Sequence, residues 1–393
     1  MIENRPSRFR WQLVAITIGR FFLNTGLRMV YPFAPAFARG LDVPLTAVYQ
    51  VIALRNITGF FSPLFSPLPE RFGRKVVMMG SLVLFAAGCL LVVIWPTFWT
   101  FALAMGLLGL AKVNFDPAMQ AYVGDAVPYA QRGKALSVTE YAWSLALLIG
   151  APAVGLAIQA WGWSAPFFWL GVLSLLAVLL LARMLPRLGK RRAQSLSLRT
   201  TLQVVVHHRV IWAAFIYTVL ALTANEILFI VYGEWMETSF GLTLATLGLA
   251  SAIIGGSEIV GETFAGWSVD RFGKRPIVIT LGLLNALLYV ILPFTSASLT
   301  TALITLFLLF FAFEVAVVGG MPLMTELVPK HRAVVMSMIV AAMSVGRTIG
   351  AFVGPVVLER GGFVWSGVVS ALVMGTAVIV LALWIREGRE TDA

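Results

Sequence analysis

Apolar stretches of about 20 residues, separated by brief polar loops, succeed one another along the whole chain. Each is long enough to cross a hydrocarbon core of ~30 Å as a helix. Hydropathy reading predicts helices over 11–37, 45–68, 76–95, 98–124, 133–160, 164–185, 208–235, 243–269, 276–294, 299–326, 331–358 and 363–386. Nearly all connections are short. The exception is 186–207, which holds Arg187, Lys190, Arg191, Arg192 and Arg199 with no acidic residue. The chain therefore divides into an N-terminal bundle (1–185), a basic linker (186–207) and a C-terminal bundle (208–393). Part of the linker, 197–206, reads either as an amphipathic helix at the inner membrane surface or as a solvated basic loop.

Composition sharpens this pattern into a class. Only 12% of the residues are charged and 59% are hydrophobic, whereas soluble domains carry about a quarter charged residues. The expected fold is an all-α polytopic membrane protein with twelve transmembrane helices in two six-helix bundles. A net charge of +11 would suggest nucleic acid in a soluble protein. Its placement argues otherwise. With the N-terminus inside, Arg5, Arg8, Arg10, Arg71, Arg74, Lys75, Arg132, Lys134, Arg271, Lys274, Arg275, Lys330 and Arg332 all fall in inner segments, and the outer loops keep few cations beyond Arg39 and Arg360. That bias orients the protein with both termini cytoplasmic. The lone Cys89 excludes an intramolecular disulfide and a cysteine-based metal cluster. The N-terminus imitates a signal peptide, but its apolar run contains Arg20 and Arg28 and precedes many similar segments. It reads as an uncleaved first membrane helix.

The chain also repeats. Arg71-Phe72-Gly73-Arg74 returns as Arg271-Phe272-Gly273-Lys274, displaced by 271 − 71 = 200 positions. Asn24, Val30 and Tyr31 return as Asn225, Val231 and Tyr232, Val127-Pro128 as Val328-Pro329, and Trp163-Ser164 as Trp365-Ser366. A nearly constant offset across six helices marks two copies of one half.

Ionisable groups at membrane depth cost at least a few kcal/mol unless paired or hydrated, so their distribution is informative. The third, sixth, ninth and twelfth helices carry none centrally. The others hold Arg20 and Arg28, Arg55, Lys112 and Asp116, Glu140, Glu226, Glu258 and Glu262, Glu314, and Arg347. Arg20, Asn24 and Arg28 are spaced by four and share one helix face, and Lys112 and Asp116 can pair within their helix. Cations thus gather in the first half and carboxylates in the second. Candidate cavity residues are Arg20, Asn24, Arg28, Arg55, Lys112, Asn225 and Arg347. Asp116, Glu226, Glu314 and Glu258 are the candidate proton carriers, because burial favours the neutral form of a carboxyl group. Glu140 and Glu262 are expected nearer the cytoplasm, at a gate. Either these charges meet substrate, or they pair with one another as structure. The many Phe, Trp and Met residues, with Phe21, Phe22, Phe229 and Phe313 beside the charges, suit a greasy cavity.

The loop motif identifies a family resemblance. Gly266, Asp270, Arg271, Gly273, Lys274 and Arg275 match the major facilitator signature Gly-x-x-x-Asp-Arg-x-Gly-Arg/Lys-Arg/Lys, and Ser66, Glu70, Arg71, Gly73, Arg74 and Lys75 form a variant of it. The whole chain resembles a major facilitator superfamily transporter of the drug:proton antiporter or sugar- or drug-efflux type, built as a parallel repeat. The resemblance implies that the two loops are cytoplasmic gate elements that stabilise an outward-open state, and that the eight charged helices line a central cavity. It also points to export through a helix-five element, here Gly150, Pro152 and Gly155, with Gly350, Gly354 and Pro355 related to it in helix eleven. Small residues there permit close helix approach. One departure stands out. The arginine that proton-coupled exporters of this family carry in helix four falls near Met105. The implied function is proton-coupled efflux of amphiphilic drug-like compounds by a monomer in a prokaryotic inner membrane. No enzyme activity, nucleic-acid partner, metal or cofactor is expected beyond the proton gradient, since no P-loop, zinc cluster or nucleophile elbow appears. Alternatives are a transporter of an organic anion or lysolipid held by intramembrane arginines, and a non-transporting receptor or scaffold.

Overall fold

The computed structural model describes residues 6–61, 65, 67–127, 129–186, 208–328 and 331–385. The basic linker and Ser66 lie outside the described residues. Every regular element among the described residues is helical. In order these are α1 (Pro6–Arg28), α2 (Val30–Leu41), α3 (Leu45–Asn56), α4 (Leu68–Phe72), α5 (Arg74–Ile94), α6 (Phe98–Ala126), α7 (Tyr129–Leu145), α8 (Ala151–Trp161), α9 (Ala165–Met184), α10 (Arg209–Phe229), α11 (Tyr232–Phe240), α12 (Leu244–Phe272), α13 (Lys274–Ile291), α14 (Leu299–Thr325) and α15 (Arg332–Trp384).

Nine of these stretches are long and apolar enough to span a membrane, and α1 with α2 makes a tenth as one bent span. The very long α15 is two helices joined at Gly362, whose φ of 71° and ψ of −176° leave the helical region. The remaining expected span, helix two, begins as α3 and continues into a 3-10 turn at Ile57–Phe61. The described residues thus fit the all-α polytopic plan, with the end of helix two outside them.

Several helices predicted as continuous are broken, and proline accounts for two of the breaks. A proline ring presses on the carbonyl four residues back and cannot donate to it. Pro32 frees the carbonyl of Arg28, where α1 ends and the chain bends by 56° into α2. Pro152 acts likewise on Leu148, inside a π-helical turn at Ala146–Gly150 between α7 and α8. The break between α10 and α11 at Ile230–Val231 falls at the equivalent place to the first one, with Gly233 standing where Pro32 does. Glycine weakens a helix without forbidding it.

The repeat is written into the backbone as well as the sequence. Among the described residues, positive φ angles occur at Asp42, Gly73 and Gly162, then again at Gly241, Gly273 and Gly362. Gly73 (92°) and Gly273 (88°) each turn the chain between two helices, a conformation that favours glycine.

The chain forms two compact units. One comprises 1–193 with 243–255, and the other 194–242 with 256–393. In the first, α5 packs between α6 and α9, while α1 lies against α7, α9 and α6. The residue segment 243–255 runs along α7 and α8: an added Cβ on Gly255 would meet the Ser144 carbonyl at 2.5 Å, and on Gly248 the Ala151 carbonyl at 2.6 Å. Gly155 faces the Leu244 carbonyl in the same way, at 2.4 Å. In the second unit α13 packs on α14 and α15, and α10 lies along α15. Gly346, Gly350 and Gly354 form one stripe of α15 that abuts backbone atoms of Val219, Thr223 and Ile227 on α10. Lipid tails are as apolar as leucine, so such backbone approach supplies packing that the hydrophobic effect cannot.

Gly350 joins packing to the buried charge, since its missing Cβ would lie 2.6 Å from Cβ of Glu226 and 2.7 Å from the Thr223 carbonyl. Gly350→Ala is expected to cost about 1–3 kcal/mol, the usual range for overpacking. Gly375→Ala, which meets nothing within 4 Å, serves as the control. Thermal unfolding in detergent reads both, and equal unfolding temperatures would refute the close-packing account.

Candidate functional site

Three successive turns on one face of α1 meet α6 and α7 through polar and charged groups. Arg20 is 5% exposed. Its Nε and Nη2 donate to the two carboxylate oxygens of Asp116 at 3.1 and 3.5 Å. Its Nη1 lies 2.9 Å from Oε2 of Glu140 and donates to the Thr139 carbonyl at 2.8 Å. Asp116 is shared: Lys112 Nζ approaches its Oδ2, the oxygen nearest Arg20 Nη2, at 2.8 Å and also donates to Asn24 Oδ1 at 2.6 Å. One turn further along α1, Arg28 donates to the Trp143 carbonyl at 3.0 Å, and its guanidinium stacks 4.3 Å from the Trp143 ring centroid. Lys112 Nζ stands 5.6 Å from the same ring. Trp143 is therefore flanked by two cations, an arrangement its π face favours.

The i, i+4 spacing along α1 places Arg20, Asn24 and Arg28 on the face turned to α6 and α7. Arg20, Lys112, Asp116 and Glu140 make a neutral set of two cations and two carboxylates, which is how buried charge becomes tolerable. Arg55, also predicted for the cavity, is instead absorbed locally. It is buried, donates to the Leu27 carbonyl at 2.6 Å and to the Tyr31 hydroxyl at 3.1 Å, and lies over Gly109, where a Cβ would meet its stem.

The second unit carries a different arrangement. Glu226 is fully buried with Oε2 3.8 Å from Arg347 Nη1, and Gly350 gives its stem room. The neighbouring Asn225 donates to the Tyr289 hydroxyl at 3.5 Å inside the core. Glu258 is buried, as is Glu314, whose Cβ lies against Gly261. Phe229 is committed to packing, stacked on Tyr232 at 5.2 Å and edge-on to Phe310.

The repeated loops do something the sequence did not disclose. Arg74 pairs with Asp125 at 2.7 Å, and its counterpart Lys274 pairs with Glu326. The next residue of each motif caps a helix. Lys75 donates at 2.6 Å each to the carbonyls of Ala182, in the last turn of α9, and Leu185, just past it. Arg275 donates to Ala382 and Ile385 at 2.7 and 2.9 Å, past the end of α15. Cations there satisfy orphan carbonyls and complement the helix dipole. Arg71 stacks on Phe72 and Arg271 on Trp267 and Phe272. Asp270 is exposed and Glu70 half-buried. In helix five, Gly150 abuts Thr25 of α1. Pro152 marks the π turn, and Pro355 sits inside α15.

Sequence reasoning overlooked Asp125 and Glu326, although each stands two residues before the repeated Val-Pro pair. It overlooked Trp143, three residues after an intramembrane Glu140. It also assigned Glu140 to the gate. The structure joins Glu140 to Arg20, and α7 begins at Tyr129, four residues before the predicted 133.

A polytopic helical bundle with paired charges inside the apolar spans is the architecture of a membrane transporter. Comparison with known proteins makes the class specific. The family model described as Major Facilitator Superfamily matches residues 16–230 and 214–393. The chain belongs to that superfamily. It is 25% identical over 338 residues to the uncharacterised MFS-type transporter YceJ of Bacillus subtilis, covering 84% of this chain and 85% of that protein. It is 29% identical over 161 residues to the uncharacterised MFS-type transporter YwfA of the same organism, a match spanning 40% of this chain and 38% of the relative. Among solved structures, the fold is similar to a bacterial homologue of the human lysosomal transporter Spinster in an inward-facing, occupied conformation, with a TM-score of 0.78, 13% identity and 97% and 98% of the two chains covered. The D-xylose–proton symporter matches equally, with a TM-score of 0.78, 16% identity and coverage of 96% and 98%.

Arg20 is the keystone of the first network. Arg20→Gln leaves Asp116 and Glu140 without their common cation. Removing one partner of a buried pair costs about 3–5 kcal/mol, less here because the Glu140 side chain is 46% exposed and partly screened. Thermal unfolding should show a clear loss for Arg20→Gln, partly recovered in Arg20→Gln/Asp116→Asn. A loss no larger than that of the exposed Arg10→Gln would overturn the network reading.

Proposed function

We propose that this major facilitator protein is a secondary transporter that exports amphiphilic organic compounds from the bacterial cytoplasm in exchange for protons, by alternating access. The carrying observation is the pair of buried acid–base groups, Arg20–Asp116–Glu140–Lys112 in one unit and Glu226–Arg347 in the other. Charge at that depth is costly and marks ion or substrate pathways. Carboxylates held beside cations there can exchange protons as the cation's other contacts change. The small-residue element of helix five and the inner bias of basic residues support export from a protein with cytoplasmic termini. The energy source is the proton gradient, and the working unit is the monomer.

Purified protein in liposomes tests the coupling. An imposed pH gradient should drive accumulation of an amphiphilic fluorescent dye, and collapse of the gradient by an uncoupler should abolish it. Dye movement indifferent to the gradient would refute proton exchange while leaving facilitated transport standing.

A second reading draws on Trp143. Its ring lies near both Arg28 and Lys112, 4.3 and 5.6 Å from its centroid, a setting suited to an organic anion with an aromatic portion. Lys112, with 18% of its side chain exposed against 6% for Arg20, is the accessible cation. On this reading Lys112→Gln abolishes uptake of a fluorescein-type anion and spares cationic dyes. Loss of both, or of neither, would count against it.

A further inference from the structure

The proton-exchange reading leaves open which carboxylate of the first unit moves the proton, and the geometry of the Arg20 network distinguishes the two. We propose that Glu140 is the proton-exchanging group of this unit and that Asp116 is its fixed counter-ion. The inference rests on the proton-coupled reading above.

Asp116 is held by two cations at once, with Arg20 Nε at 3.1 Å and Lys112 Nζ at 2.8 Å. Neutralising it leaves Arg20 with Glu140 but takes from Lys112 its carboxylate, so that Lys112 keeps only Asn24 Oδ1 as a side-chain acceptor. A largely buried cation left without a carboxylate is strongly unfavourable. Glu140 has one cationic partner, Arg20 Nη1 at 2.9 Å. When Glu140 takes up a proton, the same Nη1 still donates to the Thr139 carbonyl, and Nε and Nη2 still hold Asp116. The guanidinium keeps a partner throughout. Access points the same way, since the Glu140 side chain is 46% exposed and that of Asp116 22%.

The groups that face Glu140 are few. From α1 there is Arg20, with Arg28 two turns on and engaged at Trp143. From α6 there are Asp116 and Lys112. On α7 itself only Tyr141 is titratable within a turn, and the segment 243–255 that packs along α7 has no titratable residue. The four-charge set is neutral when Glu140 is ionised and gains one positive charge when it is protonated. A proton and a second positive charge arriving at Glu140 therefore oppose each other in the low dielectric, as like charges do. Mutual exclusion of that kind is what exchange requires.

The full chain in lipid, examined by infrared pH-difference spectroscopy, tests this without a known substrate. The wild type should show a pH-dependent carboxylic-acid C=O band that Glu140→Gln removes and that Glu140→Asp restores at a shifted position. Asp116→Asn should keep it. Thermal unfolding checks that each variant is folded, and the Glu140→Asp rescue stands as evidence even where Asp116→Asn does not fold. A band set unchanged in Glu140→Gln, or lost in folded Asp116→Asn, overturns the assignment. Dye exchange driven by the pH gradient in the wild type alongside either of those results would sink this assignment alone. An intact Glu140 band without driven exchange would sink the coupling reading instead.

Discussion

A guanidinium placed between helices in hydrocarbon must be neutralised where it stands, and Arg20 imposes that condition on its surroundings. Its planar fork offers donors in several directions at once, and α1, α6 and α7 are each fixed to it by one of them: the stem from α1, Asp116 from α6, Glu140 and the Thr139 carbonyl from α7. The interaction is not a source of great stability, because desolvation offsets much of the attraction. What it supplies is register. The three helices cannot slide or rotate far without exposing a charge to the lipid-like interior. Lys112, Asn24 and Trp143 take their positions from that fixed arrangement.

The second unit solves the same problem with other residues. Its skeleton copies the first down to the sites of positive φ, the break in the leading helix, and the cation that caps the closing one. Yet Arg20, Lys112 and Asp116 have no counterparts of like charge there, and Glu226 faces Arg347 instead. Duplication preserved the backbone devices that make a six-helix bundle fold and let the interior chemistry diverge. The two interiors are accordingly not interchangeable, whereas the loops nearly are.

Much of this was legible in the sequence, for identifiable reasons. Hydropathy runs revealed the spans because the bilayer demands about 20 apolar residues of each. The common face of Arg20, Asn24 and Arg28 followed from helical period alone, and Lys112–Asp116 from the i, i+4 rule. The Arg20–Asp116 and Arg20–Glu140 pairs were not legible, because they join residues 96 and more positions apart, and local pattern carries no such information. The helix that carries Glu140 was read as starting at 133, four residues after its start at Tyr129, which at 1.5 Å per residue is about 6 Å of helix. Helix ends are the least readable feature of a sequence, and in a membrane an error there becomes an error of environment. The helix caps escaped notice because Lys75 and Arg275 belong to a motif with a ready explanation as a gate.

Those caps have a mechanical consequence. Lys75 grips the last carbonyls before the chain leaves the first bundle at Leu185, and Arg275 grips those before it leaves the second at Ile385. Each bundle is thus sealed at its exit by a residue from near its own beginning, as a knot keeps a rope from unravelling past it. A pull on the chain beyond either exit meets these hydrogen bonds before it reaches the interior charges.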